Sequence, residues 1–134
     1  MKEISGALVG IIKFVHEDDR RVVSECNMVR QDLSVQKFFV KASSPLGNHN
    51  HQIKAEVFVV VKGSGYVVLE REGVPESRRT VSLQEDSVVY VPRGTTHTFV
   101  LEPESKMYCF SSRAFNPKAK DMYTHMLVNP EDIK

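Results

Sequence analysis

The sequence has no long hydrophobic run: its apolar stretches last only a handful of residues. A helix needs about 20 consecutive apolar residues to cross a bilayer, so no membrane-spanning helix is predicted. The amino-terminal stretch MKEISGALVGIIKF also lacks the long apolar region and small-residue cleavage site of a signal peptide. We therefore expect a cytoplasmic protein with no membrane partner.

An excess of charge of one sign is also missing. The chain has 18 lysine and arginine residues against 17 aspartate and glutamate residues, for a net charge of +1, and the two signs are interspersed. Binding to nucleic acid depends on a basic patch that neutralises phosphates. No nucleic-acid partner is therefore predicted.

Cysteine is scarce, with only Cys26 and Cys109 in 134 residues and no CxxC pair. This excludes a disulfide-stapled scaffold and a zinc site made of paired thiolates. Two free thiols are ordinary in a reducing compartment, and a disulfide between them is the less favoured alternative.

Between residues 33 and 112 the chain shows no apolar stripe of helical period and no internal repeat. It has short β-branched and aromatic runs at roughly ten-residue spacing, separated by glycine and proline, which is typical of an all-β sandwich or barrel. The runs at 57–61 and 66–70 flank Gly63 and Gly65, and we expect them to form a hairpin. Other strands are predicted within 6–26 and at 34–42, 80–83, 87–91, 97–101 and 107–111.

The stretch GNHNHQIKAEVFVVVKG, residues 47–63, carries the strongest chemical signal. In an extended chain, residues two apart point to the same face, so His49 and His51 can direct both imidazoles to one point. Glu56 follows and opens a buried apolar strand. Burying such groups without partners costs roughly 2–7 kcal/mol for each neutral group and more for a charged one. A divalent cation would satisfy all three.

A second stretch, YVPRGTTH at residues 90–97, has a strand end, a Pro-x-Gly turn and His97. The candidate metal ligands are therefore His49, His51, Glu56 and His97. Three imidazoles and one carboxylate suit zinc, iron(II), manganese, nickel or cobalt. We expect one divalent ion per chain, with zinc as the first choice. The alternative is a hydrogen-bonded polar core without metal.

The two motifs, HxHx4E followed by Gly63 and PxGxxH containing Gly94, resemble the two signature motifs of the cupin superfamily. The resemblance places the four candidate ligands on the family's ligand positions and the two glycines on its turn positions. It implies an all-β, single-domain cupin over residues 1–134, built as a jelly-roll barrel or double-stranded β-helix. Within it we expect N-terminal strands at 6–26, a barrel at about 33–112 and a short irregular or weakly helical tail at 113–134.

Three positions depart from the cupin pattern at its edges. Ser43 and Asp86 stand where each motif usually opens with glycine, and Leu101 stands where a terminal asparagine is often found. These positions shape turns and do not hold the ion. The departures therefore leave the predicted ligand set unchanged.

A finer resemblance covers roughly residues 35–125. Gly47, Asn48 and Lys54 around the first motif, and a tail with Phe115-Asn116-Pro117 before Asp121 and Tyr123, are similar to the cupin domain at the C-terminus of bifunctional capsular-polysaccharide sugar epimerase/reductases. Nucleotide-sugar 3,4-ketoisomerases share the first motif more loosely. They tend to have arginine at the position of Leu46. With no reductase domain in this sequence, we expect only the isomerising half of such chemistry.

This resemblance implies an isomerase or epimerase acting on a nucleotide-linked 4-keto-6-deoxy sugar in surface-polysaccharide biosynthesis. The candidate catalytic residues are Tyr108, Lys54 and His51, of which Tyr108 and Lys54 are candidate bases from their predicted strand faces. Two alternatives stay open: an iron(II) dioxygenase or other small-molecule metal cupin enzyme, and a non-catalytic cupin that binds a small ligand.

The expected partners are a small-molecule substrate and a second copy of the chain. The strands at 38–40 and 57–61 are apolar at consecutive positions, so each has one face for the core and one that must be covered. Pairing two barrels would cover the second face and protect an edge strand. We therefore predict a homodimer.

Overall fold

The computed structural model describes residues 1–113, 118 and 120–133, which contain strands and short 3-10 turns but no α-helix. The 3-10 turns lie at Val29–Gln31, Pro75–Ser77 and Pro130–Asp132. The strands are β1 (Lys2–Ile4), β2 (Ala7–Val9), β3 (Lys13–Glu17), β4 (Arg21–Met28), β5 (Leu33–Val40), β6 (Leu46–Asn50), β7 (Glu56–Lys62), β8 (Gly65–Arg71), β9 (Arg79–Leu83), β10 (Val88–Val91), β11 (Thr95–Leu101), β12 (Lys106–Ser111) and β13 (Tyr123–Thr124).

The strands form two antiparallel sheets that face each other. One sheet has the order β10-β7-β12-β5-β4-β3 and the other β13-β6-β11-β8-β9, while β1 and β2 form a separate hairpin. Alternate residues of facing strands meet between the sheets, which confirms the predicted all-β class. The core consists of Val40, Leu46, Phe58, Val60, Val67, Leu83, Val91, Phe99, Leu101, Met107 and Cys109.

The predicted hairpin between residues 57–61 and 66–70 is wrong. Strand β7 pairs with β10 and β12, whereas β8 pairs with β9 and β11 in the other sheet. The chain crosses between sheets at Gly63, where φ is +98° and a Cβ would collide with buried Ser105. Local spacing suggested a turn, but placing the two apolar strands in facing sheets lets both contribute to one core.

Two other local predictions also change. The charge run at 16–21, expected as a solvated turn, contains the end of β3, and only residues 18–20 form the turn, where Asp18 accepts hydrogen bonds from the backbone N–H groups of Arg20 and Arg21. The stretch 43–48, expected as a turn, contains the start of β6, because Leu46 is buried opposite Phe99. Residues 115–117 of the tail lie outside the described residues.

The tail packs against the sheet that carries β6. Its two-residue strand β13 pairs with Asn50 and His49, and Asn48 fixes the following segment by hydrogen bonds to the backbone of Leu127 and Val128. No helix in the described part of the chain is both long and apolar enough to span a membrane.

Candidate metal centre

The four predicted metal ligands come from both sheets. His49 lies on β6 and His51 immediately after it, while His97 lies on β11 directly opposite His49. Glu56 opens β7 in the facing sheet. The register of β6 and β11 therefore gathers the imidazoles, and the packing of the sheets adds the carboxylate.

The structure brings these side chains to one buried point. The candidate ligand nitrogens of His49, His51 and His97 lie within 4.8 Å of one another. Oε1 of Glu56 lies 3.2 Å from Nε2 of His51 and 3.7 Å from Nε2 of His97. Glu56, His51 and His97 are buried, and His49 is partly buried. The four donors are therefore close enough to share one ion.

The two oxygens of Glu56 have different surroundings. Oε2 accepts a hydrogen bond from the Cys109 thiol at 3.3 Å and lies 3.6 Å from Nζ of Lys54. Oε1 is buried and has no hydrogen bond of good geometry among the described residues. An unsatisfied buried carboxylate oxygen is costly, and a cation among the imidazoles would remove that cost. The residues present therefore fit a divalent metal ion.

The protonation states suit ligation. Burial, together with the neighbouring His97 and His51, lowers the pKa of His49 to about 3. Burial also lowers the pKa of His97 to about 4. These imidazoles are therefore neutral at pH 7, which is the form that binds metal. Burial alone would raise the pKa of Glu56, but His51, Lys54 and His97 hold it well below its usual range.

His51 is oriented from outside the barrel by the tail. Its Nδ1 lies 2.7 Å from the backbone carbonyl of Asp121 and must donate to it, because a carbonyl only accepts. This leaves Nε2 directed at Glu56. The Asp121 carboxylate accepts hydrogen bonds from the backbone N–H groups of residues 52–54. Such partners set the orientation and basicity of a metal-binding histidine.

Cys109 supports the centre without joining the ligand set. Burial, followed by the nearby Glu56, raises the pKa of its thiol. The thiol therefore stays protonated and donates to Oε2 of Glu56, whereas a metal ligand would be a thiolate. Cys26 is a free thiol as well.

A cavity of about 410 Å³ opens onto the four ligands. Phe58, Phe99 and Met107 contribute apolar wall, while Lys54 and Arg21 contribute cationic groups. This volume accommodates a small organic molecule, and the mixed wall resembles that of ordinary ligand sites.

The three predicted catalytic residues have different fates. Lys54 lines the cavity beside Glu56. Both ring nitrogens of His51 are engaged, one by Asp121 and one toward Glu56, which suits a ligand rather than a proton carrier. Tyr108 does not reach the cavity, because it lies on the opposite face of β12 from Met107 and Cys109. The proposal of Tyr108 as a base is therefore withdrawn.

The sequence did not single out two residues of the site. Asp121 is 70 positions from His51 in the chain, and nothing local to the tail indicates where its carboxylate and carbonyl are directed. Arg21 follows a charged turn and has the sequence features of a surface residue, yet it lines the cavity. Only the packing of the tail and of β4 reveals them.

A family model described as the polysaccharide biosynthesis C-terminal domain matches residues 16–125. No curated protein matches the sequence. Among solved structures, the capsular polysaccharide assembling protein CapF from Staphylococcus aureus is similar, with a TM-score of 0.77 and 23% identity over 92% of this chain and 34% of CapF. The present chain thus spans about a third of CapF.

Two further structures are similar at lower identity. Bacillus subtilis oxalate decarboxylase OxdC gives a TM-score of 0.67 and 15% identity over 85% of this chain and 30% of that chain. A variant of Streptomyces PAC13 with uridine gives a TM-score of 0.66 and 15% identity over 90% of both chains. These likenesses establish the fold, and the predicted cupin barrel is confirmed.

Proposed function

Because this chain belongs to the polysaccharide biosynthesis C-terminal domain family and has the cupin fold, we propose that it is a metal-dependent isomerase or epimerase of a nucleotide-linked 4-keto-6-deoxy sugar. The observation that carries the proposal is the unpartnered Oε1 of Glu56 among three imidazoles, with Lys54 on the same cavity wall. This arrangement combines an ion site with a group that can carry a proton.

His49, His51, Glu56 and His97 would hold the ion, which we propose to be zinc, with iron, manganese, nickel and cobalt as alternatives. A bound divalent cation supplies Lewis-acid polarisation of a carbonyl oxygen. The protein keeps His49 and His97 neutral and Glu56 anionic, so the four donors carry one negative charge in total. Phe58 and Phe99 exclude water from one side of the site.

We assign the proton-transfer role to Lys54. Its Nζ is 3.6 Å from Oε2 of Glu56, and its side chain is 21% exposed and lines the cavity. In the proposed reaction the C–H bond next to the ketone breaks, its electron pair forms the enolate, and the proton moves to the unprotonated amine. Return of a proton to either face of that carbon gives retention or inversion.

A nucleotide-linked substrate is supported by two likenesses. CapF is described as a capsular polysaccharide assembling protein, and the PAC13 structure contains uridine. The cavity volume of about 410 Å³ is compatible with a sugar together with part of a nucleotide. The two alternatives, an iron(II) dioxygenase and a non-catalytic binding cupin, become outcomes of the test.

The test is proton exchange in D2O. The zinc-loaded protein, incubated with nucleotide-linked 4-keto-6-deoxyhexoses, should introduce deuterium at the carbon next to the ketone, because enolisation precedes any stereochemical choice. Lys54→Met should retain its metal and exchange about 100-fold more slowly, since general-base catalysis contributes roughly 10²–10⁴-fold. Lys62→Met is the matched control, because Lys62 is an exposed lysine at the far end of β7.

Absence of deuterium above the no-enzyme control across several such sugars would refute the isomerase. Bound iron with oxygen consumption would favour the dioxygenase. Ligand binding with no turnover of any kind would favour the binding cupin.

We also propose that the protein is a homodimer. The outer face of the six-stranded sheet exposes apolar side chains, including Val61 at 40% and Phe110 at 45%, and the edge strand β3 exposes Phe14 at 65%. A second copy would cover such surface and protect the edge. Light scattering should give twice the 15.2 kDa of one chain at micromolar concentration. A 15.2 kDa particle would contradict the proposal.

A further inference from the structure

Arg21 carries a buried donor that the protein leaves unused. It is the first residue of β4, and its side chain lines the cavity. Its Nε is buried and has no hydrogen-bond partner within the part of the chain that the structure describes. Arginine is always charged and has donors only, so a buried guanidinium N–H without an acceptor is costly.

The acidic group nearest to it in sequence does not neutralise Arg21. Asp18 receives the backbone N–H groups of Arg20 and Arg21 and lies in ion-pair contact with His16 and with the Arg20 guanidinium. No ion pair of the Arg21 side chain is found among the described residues. The other acid on this face of β4 is Glu25, four residues on and about 13 Å along the strand. The guanidinium is therefore available to an anion from outside the chain.

Strand register places Arg21 far from the metal ligands. Glu56 lies opposite Ser111, and Ser111 opposite Ser34 on β5. Arg21 lies opposite Val40, at the other end of β5. Six residues separate these two positions of β5, about 20 Å along an extended strand. The metal ligands and Arg21 thus occupy opposite ends of the cavity wall, and only an elongated molecule reaches both.

We propose that Arg21 is a specificity-determining residue of the cavity that binds phosphate oxygens of a nucleoside diphosphate, while the attached sugar reaches the metal ligands. The identity of this ligand rests on the proposed function. A guanidinium offers two parallel N–H donors that match two phosphate oxygens. A nucleotide-linked sugar is elongated, and its phosphates lie outside the reacting ring, as the distance between the two ends requires.

The test compares uridine diphosphate with uridine by calorimetry on the zinc-loaded protein. Arg21→Met should weaken uridine diphosphate binding about 10-fold to 100-fold, the usual effect of losing a charge-assisted contact, and leave uridine binding unchanged. Arg21→Lys should lose part of the affinity, because lysine keeps the charge but not the paired donors. Arg20→Met is the matched control, since Arg20 contacts Asp18 on the exposed turn.

Equal loss of uridine and uridine diphosphate binding in Arg21→Met would overturn the proposal, as would unchanged uridine diphosphate affinity. Loss of uridine diphosphate binding in His49→Ala but not in Arg21→Met would also overturn it, because the phosphates would then contact the ion. Arg21-dependent uridine diphosphate binding without deuterium exchange into any sugar would support the anion site and refute the isomerase. Exchange with no dependence on Arg21 would refute the anion site alone.

Discussion

Two buried carboxylates, Glu56 inside the barrel and Glu70 on the outer side of the five-stranded sheet, show how the molecule separates a binding site from a structural one. Each is 4% exposed. Glu70 accepts hydrogen bonds from Nε of Arg78 at 3.0 Å and Nε2 of His125 at 2.7 Å. Glu56 leaves one oxygen without a hydrogen bond among the described residues. The chain thus provides the counter-charge at Glu70, whereas at Glu56 it requires an ion.

The two regions also differ in depth. Burial alone would raise the pKa of Glu70, but Arg78 and His125 lower it overall. Both partners are 48% exposed, so Glu70 lies just beneath the surface and solvent screens its ion pairs. The pocket beside Glu70 holds about 130 Å³, against about 410 Å³ for the cavity at Glu56. The outer region is therefore suited to fixing the tail and the inner one to holding a ligand.

The largest expected effect is loss of metal from the inner region alone. His49→Ala and Glu56→Gln should each reduce metal affinity by more than about 100-fold, because a lost ligand costs more than the 10–100-fold of a lost supporting contact. The matched outer changes, His125→Ala and Glu70→Gln, should leave about one ion per chain. Elemental analysis of the purified proteins measures this. Equal metal in wild type and His49→Ala would show that the site is misassigned.

A smaller effect is expected from Asp121, which connects the tail to the inner region. Asp121→Ala frees the N–H groups of residues 52–54 and loosens the carbonyl that orients His51. Metal affinity, measured by competition with a chelator, should fall about 10-fold to 100-fold. Asp121→Asn keeps an acceptor oxygen and should lose less.

The control for Asp121 is Asp132→Ala, also in the tail. Asp132 accepts a hydrogen bond from the nearby backbone of Asn129 and does not contact the ligands. If both alanine variants lose metal equally, the tail acts through general stability, and the specific role of Asp121 is wrong.

The metal-free protein should lose stability in mild acid through the inner region. The pKa of His49 is about 3 and that of His97 about 4 in the folded chain, against 6.5 for an ordinary histidine. Between pH 6.5 and 4 the unfolded chain binds more protons, so stability is full above this window and falls as the pH falls through it. From pH 7 to 4.5 the free energy of unfolding should drop by on the order of 2 kcal/mol for each imidazole.

Urea unfolding at the two pH values checks this. His97→Asn should remove part of the dependence, whereas His125→Gln, in the outer region, should preserve it. An unchanged free energy of unfolding in the metal-free wild type at pH 4.5 would contradict the lowered pKa values.

The smallest expected effect belongs to the outer region. Glu70→Ala leaves the half-exposed Arg78 and His125 without their shared partner. Solvent can hydrate both, so we expect a modest decrease in melting temperature with unchanged metal content. Calorimetric melting of metal-loaded protein measures this. A loss of metal comparable to that of His49→Ala would erase the distinction between the two carboxylates.

Much of the barrel was predictable because its strands carry their own signal. Val57, Val59 and Val61 belong to one β-branched run, and a run of this kind favours an extended chain wherever it lies in the fold. Such signals do not state which strand pairs with which. The hairpin predicted across Gly63 failed for this reason, and Tyr108 was assigned to the cavity because the strand's inward parity depends on its partners.

The sequence by itself determined the ligand set: His49 and His51 share a face by strand alternation, and the motifs around Glu56 and His97 complete it. It also determined the all-β class, because the apolar runs are too short and too β-branched for helices. Only the tertiary structure decided that Oε1 of Glu56 has no protein partner, that Asp121 orients His51 and that Arg21 faces the cavity. These depend on contacts between residues distant in the chain, which local periodicity does not encode.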